Sequence, residues 1–176
     1  MADQRHHYGT RTKARKRALD ILFEADLRDD EAIGTLAARV AAGEPPVRPF
    51  TSEIVEGVAA DREEIDRIIA ESLSAGWSLE RMPRVDRNLA RIAVYEMFFT
   101  DLAPEIAVNE AVGLARELST DDSPSFLNGV LGKALATLRE TYPLGGRRTG
   151  DGPEEDDAAD DPEAGDDWDD PVQPAP

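Results

Sequence analysis

Cysteine is absent from the 176-residue chain. Disulfide frameworks, thiol nucleophiles and Cys-ligated zinc or iron–sulfur centres are therefore excluded. Histidine is scarce: the two copies, His6 and His7, sit together in an N-terminal stretch without apolar periodicity, a poor setting for acid–base catalysis. No apolar run approaches the ~20 residues needed to span a bilayer. The basic N-terminus is not followed by an apolar stretch of signal-peptide length. Two-residue alternation is missing too, as are hairpin turn dipeptides between β-branched runs. Neither a metal-ligand spacing nor a nucleophile–base pattern nor a phosphate loop stands out. These absences predict a soluble cytoplasmic protein that is not an enzyme and needs no metal or cofactor.

What is present is charge, unevenly placed. The chain holds 20 Lys+Arg against 37 Asp+Glu, a net of −17. Residues 1–17 carry six basic groups and one acid, whereas residues 143–176 carry two basic groups and twelve acids. Such asymmetry points to interaction tails at the two ends. The segment from Pro143 is rich in Pro, Gly and acids and has few large apolar residues beyond Leu144, Trp168 and Val172. It buries too little apolar surface to offset its ordering entropy, so residues 143–176 are predicted to be a disordered acidic tail. Residues 1–10 are predicted to be flexible, which leaves 11–142 as the folded domain.

Within that domain the apolar residues recur at helical spacing throughout. Ala18, Ile21, Leu22 and Ala25 mark a first helix. Ala32, Leu36 and Val40 mark a second, with Gly43 as its stop. The Pro45-Pro46 and Pro49 cluster reads as a loop. Ile54, Val55 and Val58 follow Thr51 or Ser52 as a cap. Asp61 and Glu64 have capping-box spacing and separate this helix from one carrying Ile65, Ile68, Ile69 and Leu73. Beyond Gly76, a helix opened by Pro83 carries Val85, Leu89, Ile92, Ala93 and Met97. Another runs from Asn109 to Leu118. The last starts at Ser123-Pro124 and carries Leu127, Val130, Leu131, Ala134, Leu135 and Leu138, with Gly129 and Gly132 spaced for close helix packing. The expected fold is an all-α bundle of about seven helices in two halves, divided near residues 74–83.

Three segments stand out chemically. Arg11-Thr12-Lys13-Ala14-Arg15-Lys16-Arg17 is a basic arm leading into the first helix, with Arg11, Arg15 and Lys16 on one side. Lys and Arg neutralise phosphates and release counterions, so the arm suits a nucleic acid. Positive charge also opposes the dipole at a helix N-terminus, so its placement there asks for a reason other than local stability. In the stretch Met82 to Glu96, Arg84, Arg87 and Arg91 recur opposite the apolar stripe and are expected on its outer face. The third segment is Ala107-Val108-Asn109-Glu110-Ala111-Val112, continued by Ala115-Arg116-Glu117-Leu118-Ser119, Asp122-Ser123 and Phe126-Leu127-Asn128-Gly129-Val130-Leu131.

Together with Ala14-Arg15-Lys16-Arg17-Ala18 and Leu22-Phe23-Glu24, these blocks resemble the NusB transcription antitermination factors, over roughly residues 11–140. The resemblance implies a helical RNA-binding protein that pairs with the ribosomal protein NusE, reads the boxA element of ribosomal RNA transcripts and acts in an antitermination complex on RNA polymerase. It implies RNA contacts from Arg11, Lys13, Arg15, Lys16, Arg17, Asp122 and Phe126, and a NusE face that includes Phe23 and Asp86. Read as residues alone, Phe126 suits either base stacking or core packing. Asp122 suits either a favourable helix N-terminal charge or an acceptor for a base or ribose donor. Asp86 beside Arg87 reads equally as a solvated pair. Runner-up functions are a homo-oligomeric helical scaffold and an accessory RNA-recognition subunit of an RNA-modifying enzyme. Whether the free protein is a monomer or a homodimer is left open by the sequence. The acidic tail is either a solubiliser or a mobile competitor for the basic arm.

Overall fold

The computed structural model describes residues 9–141. The expectations for residues 1–8 and for the acidic tail lie outside that range. Among the described residues there are seven α-helices: α1 (Thr10–Arg28), α2 (Ala32–Ala42), α3 (Pro49–Ala60), α4 (Arg62–Ser72), α5 (Arg84–Phe99), α6 (Pro104–Leu118) and α7 (Ser123–Thr141). A single 3-10 turn, Leu79–Arg81, precedes α5.

Local chemistry accounts for most boundaries. α1 ends at Asp29, which takes a left-handed conformation at φ 58°, and α2 ends at Gly43, at φ 67°. Pro49 and Pro104 each occupy the first turn of a helix, where the missing N–H is not needed. α3 begins earlier than expected because Pro49 starts it. Thr51 therefore does not cap the helix; its hydroxyl donates to the Ala14 carbonyl at 3.2 Å instead. Asp61 does separate α3 from α4, but without a side-chain cap. The Asp61 N–H donates to Gly57 and the Ile65 N–H to Asp61, so the backbone ladder turns a corner rather than restarting.

α5 is the centre of the bundle, packed against α1, α3, α4, α6 and α7. Every residue from Asn88 to Met97 is buried. α1, α2 and α3 pack on one another on one side of it, and α4, α6 and α7 contribute the other. α4 packs on α5 and α7 far more than on α3, so the division between halves falls at Asp61 rather than at residues 74–83. The core runs through both groups, from Ile21, Ile54 and Val55 to Leu114, Leu127 and Leu131.

A helix surrounded on all sides has no outer face, and the expectation for Arg84, Arg87 and Arg91 changes accordingly. Arg84 is exposed, but Arg87 and Arg91 are drawn inward. Arg91 is only 3% exposed and grips Asp66 with two nitrogens, at 2.7 and 3.1 Å. Close helix packing also falls elsewhere than expected. Gly129 and Gly132 are exposed, with open space where a Cβ would stand. The tight approach is at Gly57, where a Cβ would lie 2.1 Å from the Tyr95 ring.

Candidate nucleic-acid interface

The basic arm is the first two turns of α1, and the structure splits its cations. Arg11 is exposed, and Lys13, Lys16 and Arg17 are half-buried. Arg15 is not a surface residue: it lies with Ala14 and Ala18 on the buried side and is 3% exposed. Its guanidinium meets Glu96 of α5 through Nε, at 3.0 and 2.9 Å, and through an Nη at 2.7 Å. The other Nη donates to Glu110 of α6 at 3.2 Å. Glu110 also accepts from the Thr12 hydroxyl at 2.8 Å. The Phe50 ring lies beneath both Arg11 and Arg15, each guanidinium carbon 5.4 Å from its centroid. α3, α5 and α6 thus hold the stem of the arm.

These contacts explain how an N-terminal helical turn with no acidic residue tolerates its positive charge. The macrodipole there favours anions. Carboxylates from two other helices, the buried Glu96 and the half-buried Glu110, supply the missing negative charge from outside α1. Burial pushes the Glu96 carboxyl above the usual glutamate range, while the Arg15 hydrogen bonds and charge work against that rise.

Asp122 and Phe126 lie at the other end of α5. α1 and α5 run antiparallel, since Arg15 meets Glu96 while Asp26 meets Arg87. Asp86, expected on the NusE face, is 2% exposed. Its carboxylate accepts from the Ser119 hydroxyl at 2.6 Å and from the Ser123 hydroxyl at 2.8 Å. The Ser123 oxygen in turn accepts the Thr120 N–H at 3.2 Å. Asp86 therefore clips the α6–α7 loop to the first turn of α5, where a negative charge also suits the dipole. The loop presents Asp122, which is exposed, and its carbonyl accepts the Phe126 N–H at 3.0 Å.

Phe126 resolves its two readings by occupying the edge between them. It is half-buried, packed on the core on one side and tilted against Trp77 on another, with centroids 4.9 Å apart at 43°. Phe23 is half-buried on α1 between buried Leu22 and Glu24. Glu24 is paired with Arg28 at 2.9 Å and with Arg39 of α2.

The expected RNA residues therefore do not form one cluster. The ten steps along α5 from Asp86 to Glu96 rise about 15 Å, so the arm and the Asp122–Phe126 corner stand at two stations along the bundle. Between them Asp26 joins Arg87 at 2.5 Å and Asp66 joins Arg91 and Arg62. Burial alone would raise both aspartates, but hydrogen bonds and charge from Arg87, Arg91 and Arg62 outweigh it and hold them below the usual range. Arg87 and Arg91 thereby join α5 to α1 and to α4, while the Arg62 pair lies within α4.

Sequence reasoning missed Glu96, Glu110, Phe50 and Trp77. Trp77 had the most legible signal, being a large aromatic in a linker directly after Gly76, which has φ 86°. Among the described residues no cluster is arranged to hold a metal ion, and no helix is long and apolar enough to cross a membrane.

Residues 12–136 match the NusB family. The transcription antitermination protein NusB of Beutenbergia cavernae is 54% identical over 136 residues, covering 71% of this chain and 88% of that protein. Its counterpart in Salinispora tropica is 56% identical over 128 residues, covering 70% of this chain and 93% of that protein. Among solved structures, T. maritima NusB matches with a TM-score of 0.66 at 27% identity, covering 77% of this chain and 99% of that one. A chain from a complex of the antitermination factors NusB and NusE with double-stranded RNA matches with a TM-score of 0.64 at 26% identity, covering 72% and 96%.

Proposed function

The chain belongs to the NusB family of transcription antitermination proteins, a non-enzymatic family, and on that premise we propose that it binds boxA RNA of ribosomal operon transcripts jointly with NusE. The complex would act on RNA polymerase to resist termination. The observation that carries this reading is the anchored arm. Arg11, Lys13, Lys16 and Arg17 stand on a helix whose first turns are fixed by the contacts of the buried Arg15 with Glu96 and Glu110. An anchored arm holds its cations in place before RNA arrives, so less ordering entropy is lost on binding.

In this reading Arg11, Lys13, Lys16 and Arg17 contact phosphates, which set affinity and salt dependence. Asp122 accepts from a base or ribose donor, since a carboxylate repels phosphate. Phe126 offers the outward part of its ring to an unpaired base. Arg15 and Asp86 act from behind, as positioning residues for the arm and for the α6–α7 loop. Phe23 remains the candidate on the NusE face.

Support for the partner comes from the related complex that holds NusB, NusE and RNA together. A titration of boxA RNA with and without NusE, at stated salt, tests the proposal. Tighter binding to boxA than to scrambled RNA in the presence of NusE is expected. Equal binding to both RNAs with NusE present would overturn it.

A further inference from the structure

Trp77 belongs to neither the core nor any of the motifs noted in the sequence. It follows the α4 helix in a turn built on Gly76 and is 45% exposed, a large apolar surface to leave in water without a use. Its indole is held rather than loose: it leans on Phe126, and the Arg81 guanidinium carbon lies 5.8 Å above its centroid. Arg81 is exposed, and its guanidinium also donates to the Gly76 carbonyl at 2.5 Å. Lys133, two turns beyond Phe126 on α7, reaches back to the Ser74 hydroxyl at 3.4 Å. The corner thus joins two aromatic rings to two solvent-accessible cations.

That combination matches single-stranded RNA, in which flat bases alternate with anionic phosphates. We propose that Trp77 is a second base-stacking residue, forming with Phe126 a two-ring platform on which consecutive unpaired bases rest. Arg81, near the ~6 Å limit of cation–π attraction, swings off the indole to meet a phosphate, and Lys133 meets the next. The inference rests on the RNA-binding reading and extends it from the Asp122–Phe126 corner. It also gives the linker between α4 and α5 a function in recognition.

The test uses the full chain with NusE and single-stranded boxA RNA. The chain has two tryptophans, Trp77 and Trp168, so a Trp168→Phe background leaves Trp77 as the sole indole reporter. Stacking on a base should quench its fluorescence as RNA is added. Trp77→Ala should weaken boxA binding by about 5- to 100-fold, in line with the loss of one stacked base. Trp77→Phe should restore most of that affinity, and melting temperatures should show that both variants fold. A Lys16→Ala variant measured alongside keeps the two readings separable. If Lys16→Ala weakens RNA binding while Trp77→Ala does not and the indole signal stays flat, the platform is refuted and the arm stands. If wild-type protein with NusE shows no preference for boxA, both fall. If Trp77→Ala weakens binding to NusE alone and leaves RNA affinity intact, the corner is a protein-docking site and the proposal is overturned.

Discussion

Replacing Arg15 by methionine separates a surface phosphate ligand from a buried anchor. The two side chains of the Arg15–Glu96 pair are each 3% exposed, so the variant strands a carboxylate inside the bundle. Removing one partner of a buried ion pair costs about 3–5 kcal/mol. For a domain of this size, that corresponds to a fall in melting temperature of about 10–20 °C. The loss should depend on pH in a defined direction. Glu96 already titrates above the usual glutamate range because it is buried, and losing Arg15 moves it further up. The penalty is therefore full above the raised folded-state value. It shrinks as pH falls through that value, because the protonated acid is cheap to bury, and it vanishes below the unfolded glutamate value of about 4.3. Removing both charges, as Arg15→Met with Glu96→Met, should recover most of the stability at neutral pH, since apolar replacement of a whole buried pair is often neutral or favourable. Urea unfolding at pH 7 and pH 5, with RNA affinity measured on the same samples, checks each step. An Arg15→Met protein as stable as wild type at pH 7, with RNA affinity abolished and its salt dependence flattened, would refute the anchor and return Arg15 to the RNA surface.

Arg11→Ala with Lys16→Ala should leave unfolding nearly unchanged and weaken binding to every RNA sequence, lowering the log–log salt slope by ~0.7 for each phosphate that is no longer neutralised; an unchanged slope removes the arm from the RNA site. Asp86→Ala deprives the Ser119 and Ser123 hydroxyls of their acceptor and should cost about 1.5–3 kcal/mol in thermal unfolding. It should also reduce RNA affinity through the α6–α7 loop, with NusE affinity measured without RNA unaffected. Gly57→Ala drives a methyl into the Tyr95 ring and should destabilise by about 1–3 kcal/mol. Gly129→Ala, facing open space in mid-helix, should stabilise by about 0.5–1 kcal/mol, and denaturant midpoints for the two variants should move in opposite directions. Asp66 ionises below the usual aspartate range, so its contribution to stability is full above about pH 3.9 and is lost as pH falls through its folded-state value. Asp66→Asn should be less stable than wild type at pH 7, and the difference should narrow on acidification.

Helix positions were legible because their signals are local. The apolar spacing of Ile65, Ile68 and Ile69, the Ser123-Pro124 start and the Gly43 stop each act within a turn or two of themselves, and the structure has helices where they indicate, although Pro49 and Pro104 open α3 and α6 ahead of the expected starts. The basic arm and the family blocks were legible for the same reason, as strings of neighbouring residues. What the string could not decide is which cations face inward. Arg15 and Lys16 are adjacent and share a charge, yet one is buried and the other half-exposed. The choice depends on Glu96 and Glu110, 81 and 95 residues away. Arg84 and Arg91 differ in the same way, through Asp66, 25 residues upstream of Arg91. Asp86 reads as a surface charge until the loop of Ser119 and Ser123 closes over it, and Phe126 acquires its neighbour Trp77 only when α4 packs on α7. Periodicity marks a helix face, but burying a charge requires a partner to offset its desolvation. That partner comes from elsewhere in the chain, so only the tertiary structure could separate the charges that anchor this bundle from those proposed to meet RNA.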